Sequence, residues 1–268
     1  MKFIQIATVV FFFLLLLPFS LLSQEAKVTA PPASLHLNSF YKKYLDANGI
    51  PIISSWRVPD SAMYKAREII LFMTNDLPKE VLAQMVKVGT KVGVMARYEG
   101  TTDIPEHAYL AKDTSINWDL RARGLGGDMT CPLTTCAEEN ILGYQIDKYH
   151  AEDILIHEFS HSIHLIGIAP MDSTFEPTLH RLLDNAVAHG KYVNTYAKTD
   201  IMEYWAEGVQ DWFNTNAEAP KPDGKHNPLN TRKELKKYDP DLYNLIHKYF
   251  SDFKGNPSAH KVVNKYHI

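Results

Sequence analysis

The chain has 268 residues, of which 45% are hydrophobic and 11% aromatic, enough for a large core in one domain or in two closely packed lobes. The formal net charge at neutral pH is only −3, and no block of like charge gives the footprint of a nucleic-acid-binding protein. The basic residues 232–237 have the pattern of one solvated helix face. The composition therefore agrees with a compact enzyme, and we expect no nucleic-acid partner.

Residues 1–23 predict a secretory signal peptide. A basic start at Lys2 is followed by an apolar run through Leu22, and Ser23 is a small residue suited to cleavage. An uncleaved membrane anchor is the alternative, because Leu21 is a poor residue three positions before the cut and the apolar run is nearly long enough to span a bilayer. We therefore expect a secreted or otherwise extracytoplasmic protein, with no stable membrane insertion after signal removal.

Behind the signal, residues 24–34 are polar and contain proline, and they predict a linker before a single domain at residues 35–268. We expect this domain to open with helices. Residues 60–75 carry apolar side chains at helical spacing, and Pro78 stands where a second helix would begin. Residues 91–98 then have the composition of a β-strand.

Cys131 and Cys136 are the only cysteines of the chain. Export would place them in oxidising surroundings, where a disulfide between them would close a short loop. The alternative is that Cys131 blocks a metal as a thiolate until activation, but no removable pro-segment surrounds it. Because the Gly-rich residues 124–127 precede the loop, we expect it to form a pinned element at the rim of a site.

Residues 157–161 read His-Glu-Phe-Ser-His inside an apolar run whose spacing predicts a helix. On a helix, His157 and His161 lie one turn apart on one face, so both imidazoles can reach the same metal ion. The carboxylate of Glu158 projects about 100° further around the axis, which suits it to hold a water molecule beside the metal. This pattern is a zinc-hydrolase signature.

A catalytic zinc site usually has three protein ligands, so a third must come from elsewhere in the chain. The extended pattern HExxHxxGxxH is excluded, because His164 stands at its glycine position and Gly167 at its third histidine position. Glu203 is the better candidate. His180 and His189 are the alternatives if the chain folds back differently.

Glu203 lies in residues 199–213, where Thr199 or Asp200 can cap a helix of about four turns. Glu203 and Glu207 are four residues apart and share one helical face. The first can therefore bind the metal while the second accepts a hydrogen bond from a ligand imidazole.

The motif His-Glu-x-x-His, followed by a later Glu and by another acid four residues on, resembles that of the gluzincin metallopeptidases. Residues 196–207, Tyr-Ala-Lys-Thr-Asp-Ile-Met-Glu-Tyr-Trp-Ala-Glu, resemble the matching segment in the catalytic domains of the anthrax lethal factor family. The resemblance covers residues 153–213 and, more loosely, a closing helix at residues 238–250. It implies that Tyr196 faces the scissile carbonyl and donates a hydrogen bond to the oxyanion.

Residues 30–145 carry no such match. The resemblance implies an α+β, zincin-like metallopeptidase fold, mainly helical, with a small mixed sheet whose edge strand lines the active-site cleft. Residues 91–98 are the candidate for that strand, to which an extended peptide could add, and an ordinary core strand is the alternative. Residues 219–230 are expected to be an exposed connection.

The implied function is that of a secreted zinc metalloendopeptidase acting on a peptide or protein. Zn²⁺ held by two imidazoles and a carboxylate lowers the pKa of its water, and Glu158 takes the proton and returns it to the departing amine. Two alternatives stay open: a zinc hydrolase of a non-peptide amide or glycan-linked substrate, and a non-catalytic zinc-containing binding module. A structural site would have no need of Glu158.

Overall fold

The computed structural model describes residues 26–253 and 255–261, so the predicted signal at residues 1–23 lies outside the described part. In these two ranges, no helix is both long enough and apolar enough to cross a membrane. Thr29 and Tyr44 exchange two backbone hydrogen bonds of 3.1 and 2.8 Å. The end of the predicted linker therefore lies against the domain.

A β-hairpin, and not a helix, opens the domain. Strands β1 (Lys43–Ala47) and β2 (Ile50–Ser54) pair antiparallel. Asn48 and Gly49 join them with positive φ angles of 54° and 84°, the conformation that an Asn-Gly hairpin turn requires. The expectation that helices come first is therefore wrong, and the Asn-Gly pair was the signal for the hairpin.

The described strands form a five-stranded mixed sheet in the order β1-β2-β3-β5-β4. Strand β3 (Lys91–Met95) runs parallel to β2 and to β5 (Leu133–Ala137), whereas β4 (Gly124–Leu125) pairs antiparallel with β5 and forms one edge. The predicted α+β fold with a small mixed sheet is confirmed. Strand β3, however, is an interior strand, because neighbours on both sides use its backbone groups. The two edge strands are β1 and β4.

Helices cover the sheet and form the rest of the domain. The two predicted at residues 60–75 and after Pro78 are α1 (Asp60–Thr74) and α2 (Lys79–Val88). The other described helices are α3 (Trp118–Arg121), α4 (Glu138–Ile141), α5 (Ile154–Ser162) with its π-helical continuation Ile163–Ile168, α6 (Phe175–Ala188), α7 (Ile201–Phe213), α8 (Arg232–Tyr238) and α9 (Pro240–Ile246). Short 3₁₀ turns lie at Ala33–Leu35, Thr101–Asp103, Pro105–Lys112 and Tyr196–Lys198.

Helix α7 is fixed against α5 by a buried tryptophan. Trp205 is fully buried, and its indole N–H donates to the backbone oxygen of Ser160 at 3.0 Å. Phe175 and Tyr249 pack edge-on against the indole at ring distances of 5.2 and 5.9 Å. Because aromatic packing and a directional hydrogen bond act together here, the two helices cannot slide along each other without breaking both.

The predicted disulfide is absent, since Cys131 and Cys136 are free thiols. Cys136 lies inside β5, where each residue advances about 3.3 Å, so the extended strand carries it away from Cys131. Burial raises the pKa of the Cys136 thiol well above its usual value. The loop is held instead by Asp128, which accepts hydrogen bonds from the backbone of Thr130 and Cys131 at 2.7 and 2.8 Å.

Candidate active site

Helix α5 carries the two histidines on one face, and its N-cap fixes where the helix begins. Asp153 caps the helix and accepts a hydrogen bond from the Ile156 N–H at 3.0 Å. The rings of His157 and His161 follow one turn apart, with centroids 4.9 Å from each other, and both side chains are buried. The helix predicted from the sequence therefore brings both imidazoles to one place.

Helix α7 supplies the facing carboxylate. Asp200 is its N-cap and accepts hydrogen bonds from the backbone N–H groups of Met202 and Glu203 at 2.8 and 3.0 Å. This cap, one of the two residues expected for the role, starts the helix so that Glu203 lies in its first turn. Since α7 is also fixed against α5, the Glu203 side chain is directed at the two histidines.

Three ligand atoms from the two helices converge. The Nε2 atoms of His157 and His161 lie 3.2 Å apart, and Oε2 of Glu203 lies 3.1 Å from the first and 3.7 Å from the second. Tetrahedral zinc with ligands at about 2.05 Å has neighbouring ligand atoms about 3.3 Å apart. Two imidazole nitrogens and one carboxylate oxygen are also a donor set of known catalytic zinc sites. The residues present therefore fit a zinc ion.

Glu158 lies beside this triangle, and its ligand atom is within 4.8 Å of those of His157 and His161. Burial, the main cause, raises the pKa of Glu158 to about 7, with His157 opposing the shift and Glu203 and Glu152 adding to it. Its side chain lines the cleft. A carboxylate in this position, beside the metal ligands and facing the cleft, suits a general base.

The two histidines differ in protonation when no metal ion is bound. Burial lowers the pKa of His157, but the hydrogen bond that His157 donates to Glu203 and the charges of Glu158, Glu203 and Glu207 outweigh it and raise the pKa to about 10. Burial and the positive charge on His157 lower the pKa of His161 to about 3. In the metal-free protein His157 is therefore a cation, and a metal ion has to displace its proton.

Tyr196 lies at the edge of the same site, in the 3₁₀ turn before α7. Its ring stacks over His157 with centroids 6.4 Å apart. Burial and then the charge of Glu203 raise the pKa of its hydroxyl above the usual value. The hydroxyl therefore stays protonated at neutral pH and can donate a hydrogen bond into the cleft, which Tyr196 lines.

Glu207 does not make the contact predicted for it. Its nearer oxygen lies 3.8 Å from Nδ1 of His157, beyond hydrogen-bond distance, and its other oxygen accepts a bond from the amide of Asn216 at 3.0 Å. Burial raises the pKa of Glu207 to about 7. The carboxylate therefore hydrogen-bonds to Asn216, and it acts on the imidazole only through its charge.

Gln210 takes the place predicted for Glu207. Its Oε1 lies 2.8 Å from Nδ1 of His157, and its Nε2 donates to the backbone oxygen of Asp153 at 3.1 Å. Because the amide nitrogen must face that carbonyl, the amide oxygen faces the imidazole and accepts from Nδ1–H, so Nε2 points at the metal position. Gln210 follows Glu203 by seven residues, about two turns on the same face, and that spacing was the signal for it.

The other histidines considered as ligands lie elsewhere. His180 and His189 are exposed at α6 and its end. His164 is fully buried, bonds Glu176 at 3.2 Å and packs edge-on against Phe175. Neither alternative for the third ligand is therefore near the triangle.

A cleft of about 470 Å³ opens over the three ligands. Strand β4 forms one wall, and the chain directly after it runs so close to α5 that a Cβ at Gly126 would come within 2.6 Å of the Cβ of His161. Residues 219–230, expected to be only an exposed connection, form another wall through Lys225 and His226. His226 is held there by Glu152, with Nε2 and Oε2 3.5 Å apart.

No protein-family model matches the sequence, and no curated protein matches it. Among solved structures, the chain is similar to the Pro-Pro endopeptidase PPEP-2 from Paenibacillus alvei, with a TM-score of 0.48 and 17% identity, covering 74% of this chain and 97% of that chain. A likeness of this degree carries no conclusion about activity. The residues of the site carry the functional inference instead.

Proposed function

We propose that this protein is a secreted, zinc-dependent metalloendopeptidase of the gluzincin type. The observation that carries the proposal is the triangle of ligand atoms from His157, His161 and Glu203, with separations of 3.2, 3.1 and 3.7 Å and an acid, Glu158, beside it. The part of the proposal that concerns secretion rests on the sequence of residues 1–23 alone.

His157, His161 and Glu203 would hold the zinc. When bound, zinc supplies Lewis acidity that polarises a carbonyl group and makes water a stronger acid. Glu158 accepts the proton of the attacking water and delivers it to the nitrogen of the departing amine. Tyr196 donates its phenolic hydrogen bond to the negative charge that develops on the carbonyl oxygen. No residue of the chain forms a covalent bond with the substrate in this scheme.

The cleft favours a peptide as the substrate. Strand β4 pairs with β5 on one side only, and no other strand of the described residues lies against its second edge. An extended peptide can hydrogen-bond to such an edge as a further strand. Because β4 lines the cleft, a peptide added there would pass over the metal ligands.

The test is to compare the wild type with Glu158→Gln, each as residues 24–268, for zinc content and for hydrolysis of a mixed peptide library. Glu158→Gln should retain zinc and lose at least about a hundredfold in hydrolysis, the contribution of general acid–base catalysis. Glu80→Gln, at an exposed position in the first turn of α2 that does not line the cleft, is the control and should keep both. Hydrolysis of glycan-linked or non-peptide amides in place of peptides would overturn the proposed substrate class.

A further inference from the structure

A cationic side chain on a well-anchored backbone lies on one wall of the cleft. Arg121, at the end of α3, is exposed and lines the cleft. Lys148 holds this end of the helix, because its Nζ donates to the backbone oxygens of Leu120 and Arg121, both at 2.8 Å. Asp119 ties the same turn to Thr102 through bonds of 2.8 and 3.0 Å. The Arg121 guanidinium is therefore presented from a backbone that is held on two sides.

A second cation comes from residues 219–230. Lys225 lines the cleft, and its backbone oxygen accepts a hydrogen bond from the Tyr196 N–H at 2.8 Å. Asp223 accepts bonds from the backbone of Lys225 and His226 at 2.9 and 2.8 Å, which fixes the turn that carries them. Lys225 is therefore tied directly to the residue that we assign to the oxyanion.

The two cations line the same cleft as Tyr196, Arg121 from the end of α3 and Lys225 from residues 219–230.

Within the described residues, neither cation forms an ion pair with a side chain of the protein. Among the described residues, no carboxylate lies within ion-pair distance of Arg121 or Lys225. The acids of the cleft outside the metal site are engaged elsewhere, since Glu152 pairs with His226 and Asp128 accepts bonds within its own turn. Two unpaired cations on rigid walls form a preorganised binding position for an anion.

We propose that Arg121 and Lys225 bind a carboxylate of the substrate next to the scissile bond, the side chain of an Asp or Glu residue. The inference rests on the proposed peptidase function and adds a substrate class to it. A guanidinium can meet a carboxylate with two parallel hydrogen bonds, and the Lys225 ammonium adds a point charge. A bound peptide also displaces water from the cleft, which strengthens the attraction.

The experiment uses one internally cleaved peptide in four forms, with Asp, Glu, Gln or Lys at the two positions on either side of the scissile bond and with both termini blocked. The wild type should cleave the Asp or the Glu form with a kcat/KM about fivefold above that of the Gln form. The preferred form identifies the acidic residue that the site accepts. The preference should shrink in about 0.5 M salt, because exposed charges are screened.

The matched variant is the double charge reversal Arg121→Glu with Lys225→Glu, which should prefer the Lys peptide. Lys221→Glu lies on the same segment but does not line the cleft, and it should keep the wild-type preference. Equal kcat/KM for all four peptides, or an unchanged preference in the double variant, would overturn the carboxylate site while leaving the peptidase function intact.

If the wild type cleaves no peptide, the proposed function fails and the carboxylate site is tested by binding alone. Fluorescently labelled Glu and Gln peptides are then titrated into zinc-loaded Glu158→Gln and into the same variant carrying the double charge reversal. Tighter binding of the Glu peptide that the reversal abolishes supports the site, and equal binding of both peptides overturns it.

Discussion

The floor and the walls of the cleft are built in different ways. The floor comes from α5 and α7, where His157, His161 and Glu203 owe their positions to spacing along two capped helices. The walls come from β4, α3 and residues 219–230, which are far apart in the sequence and meet only in the folded chain. Local spacing therefore determines the chemistry, whereas tertiary packing determines which substrates reach it.

The largest expected effect is on kcat and concerns Tyr196, which lies between the metal ligands and the wall that carries Lys225. Tyr196→Phe removes only the hydroxyl that we assign to the oxyanion, so kcat should fall by about a hundredfold, as for other oxyanion donors, while zinc content and KM stay near the wild-type values. Steady-state kinetics and metal analysis measure these quantities. A fall in zinc content together with kcat would instead mean that Tyr196 supports Glu203 in the metal site.

A second prediction separates the two residues considered as partners of His157. Gln210→Ala leaves Nδ1 of His157 without its acceptor, so zinc affinity should weaken by about 10- to 100-fold, the usual cost of losing a residue that orients a ligand. Glu207→Gln keeps the side chain's size and should change zinc affinity far less, since Glu207 makes no hydrogen bond to the imidazole. Competition with a fluorescent chelator measures both, and the reverse ranking would restore the role first expected of Glu207.

The pH dependence of zinc binding follows from His157. Its pKa in the metal-free protein is raised to about 10, so near pH 8 it holds a proton that zinc must displace. Zinc affinity should therefore rise with pH, by up to about tenfold per unit below that pKa, with release of about one proton per zinc. Calorimetry in buffers of different ionisation enthalpy measures the proton count. Binding without proton release would show that His157 is already neutral.

The smallest expected effect concerns the rim. Because Cys131 and Cys136 are free, a reducing agent should leave the melting temperature unchanged, and Cys131→Ser should alter the free energy of unfolding by less than about 0.5 kcal/mol. Thermal unfolding with and without reductant tests this. A lower melting temperature under reduction would mean that the protein forms the disulfide after all.

The sequence predicts the helices α1, α2, α5 and α7 well, since all four follow from hydrophobic spacing and α7 also from capping by Asp200. It does not predict how the partner of His157 is chosen. Glu207 and Gln210 both lie on the α7 face toward α5, and only the backbone oxygen of Asp153, on the other helix, selects Gln210.

The walls escape prediction for a similar reason. No periodicity shows that Lys225 will bond to Tyr196 through its backbone, or that β4, a strand of only two residues, will form the edge next to α5. The glycines before Cys131 marked a rim element, but the close approach to His161 that requires Gly126 is visible only in the folded chain. The opening hairpin was within reach, because Asn48-Gly49 is a strong turn signal.

The zinc content of the protein tests the account most directly. Residues 24–268 as wild type, Glu203→Ala and the control Glu80→Ala, which changes an exposed residue of α2, would be loaded with zinc and dialysed identically before metal analysis. The three-ligand site predicts about one zinc per chain in the wild type and the control and almost none in Glu203→Ala. Retention of zinc by Glu203→Ala, or no tightly held zinc in the wild type, would contradict it.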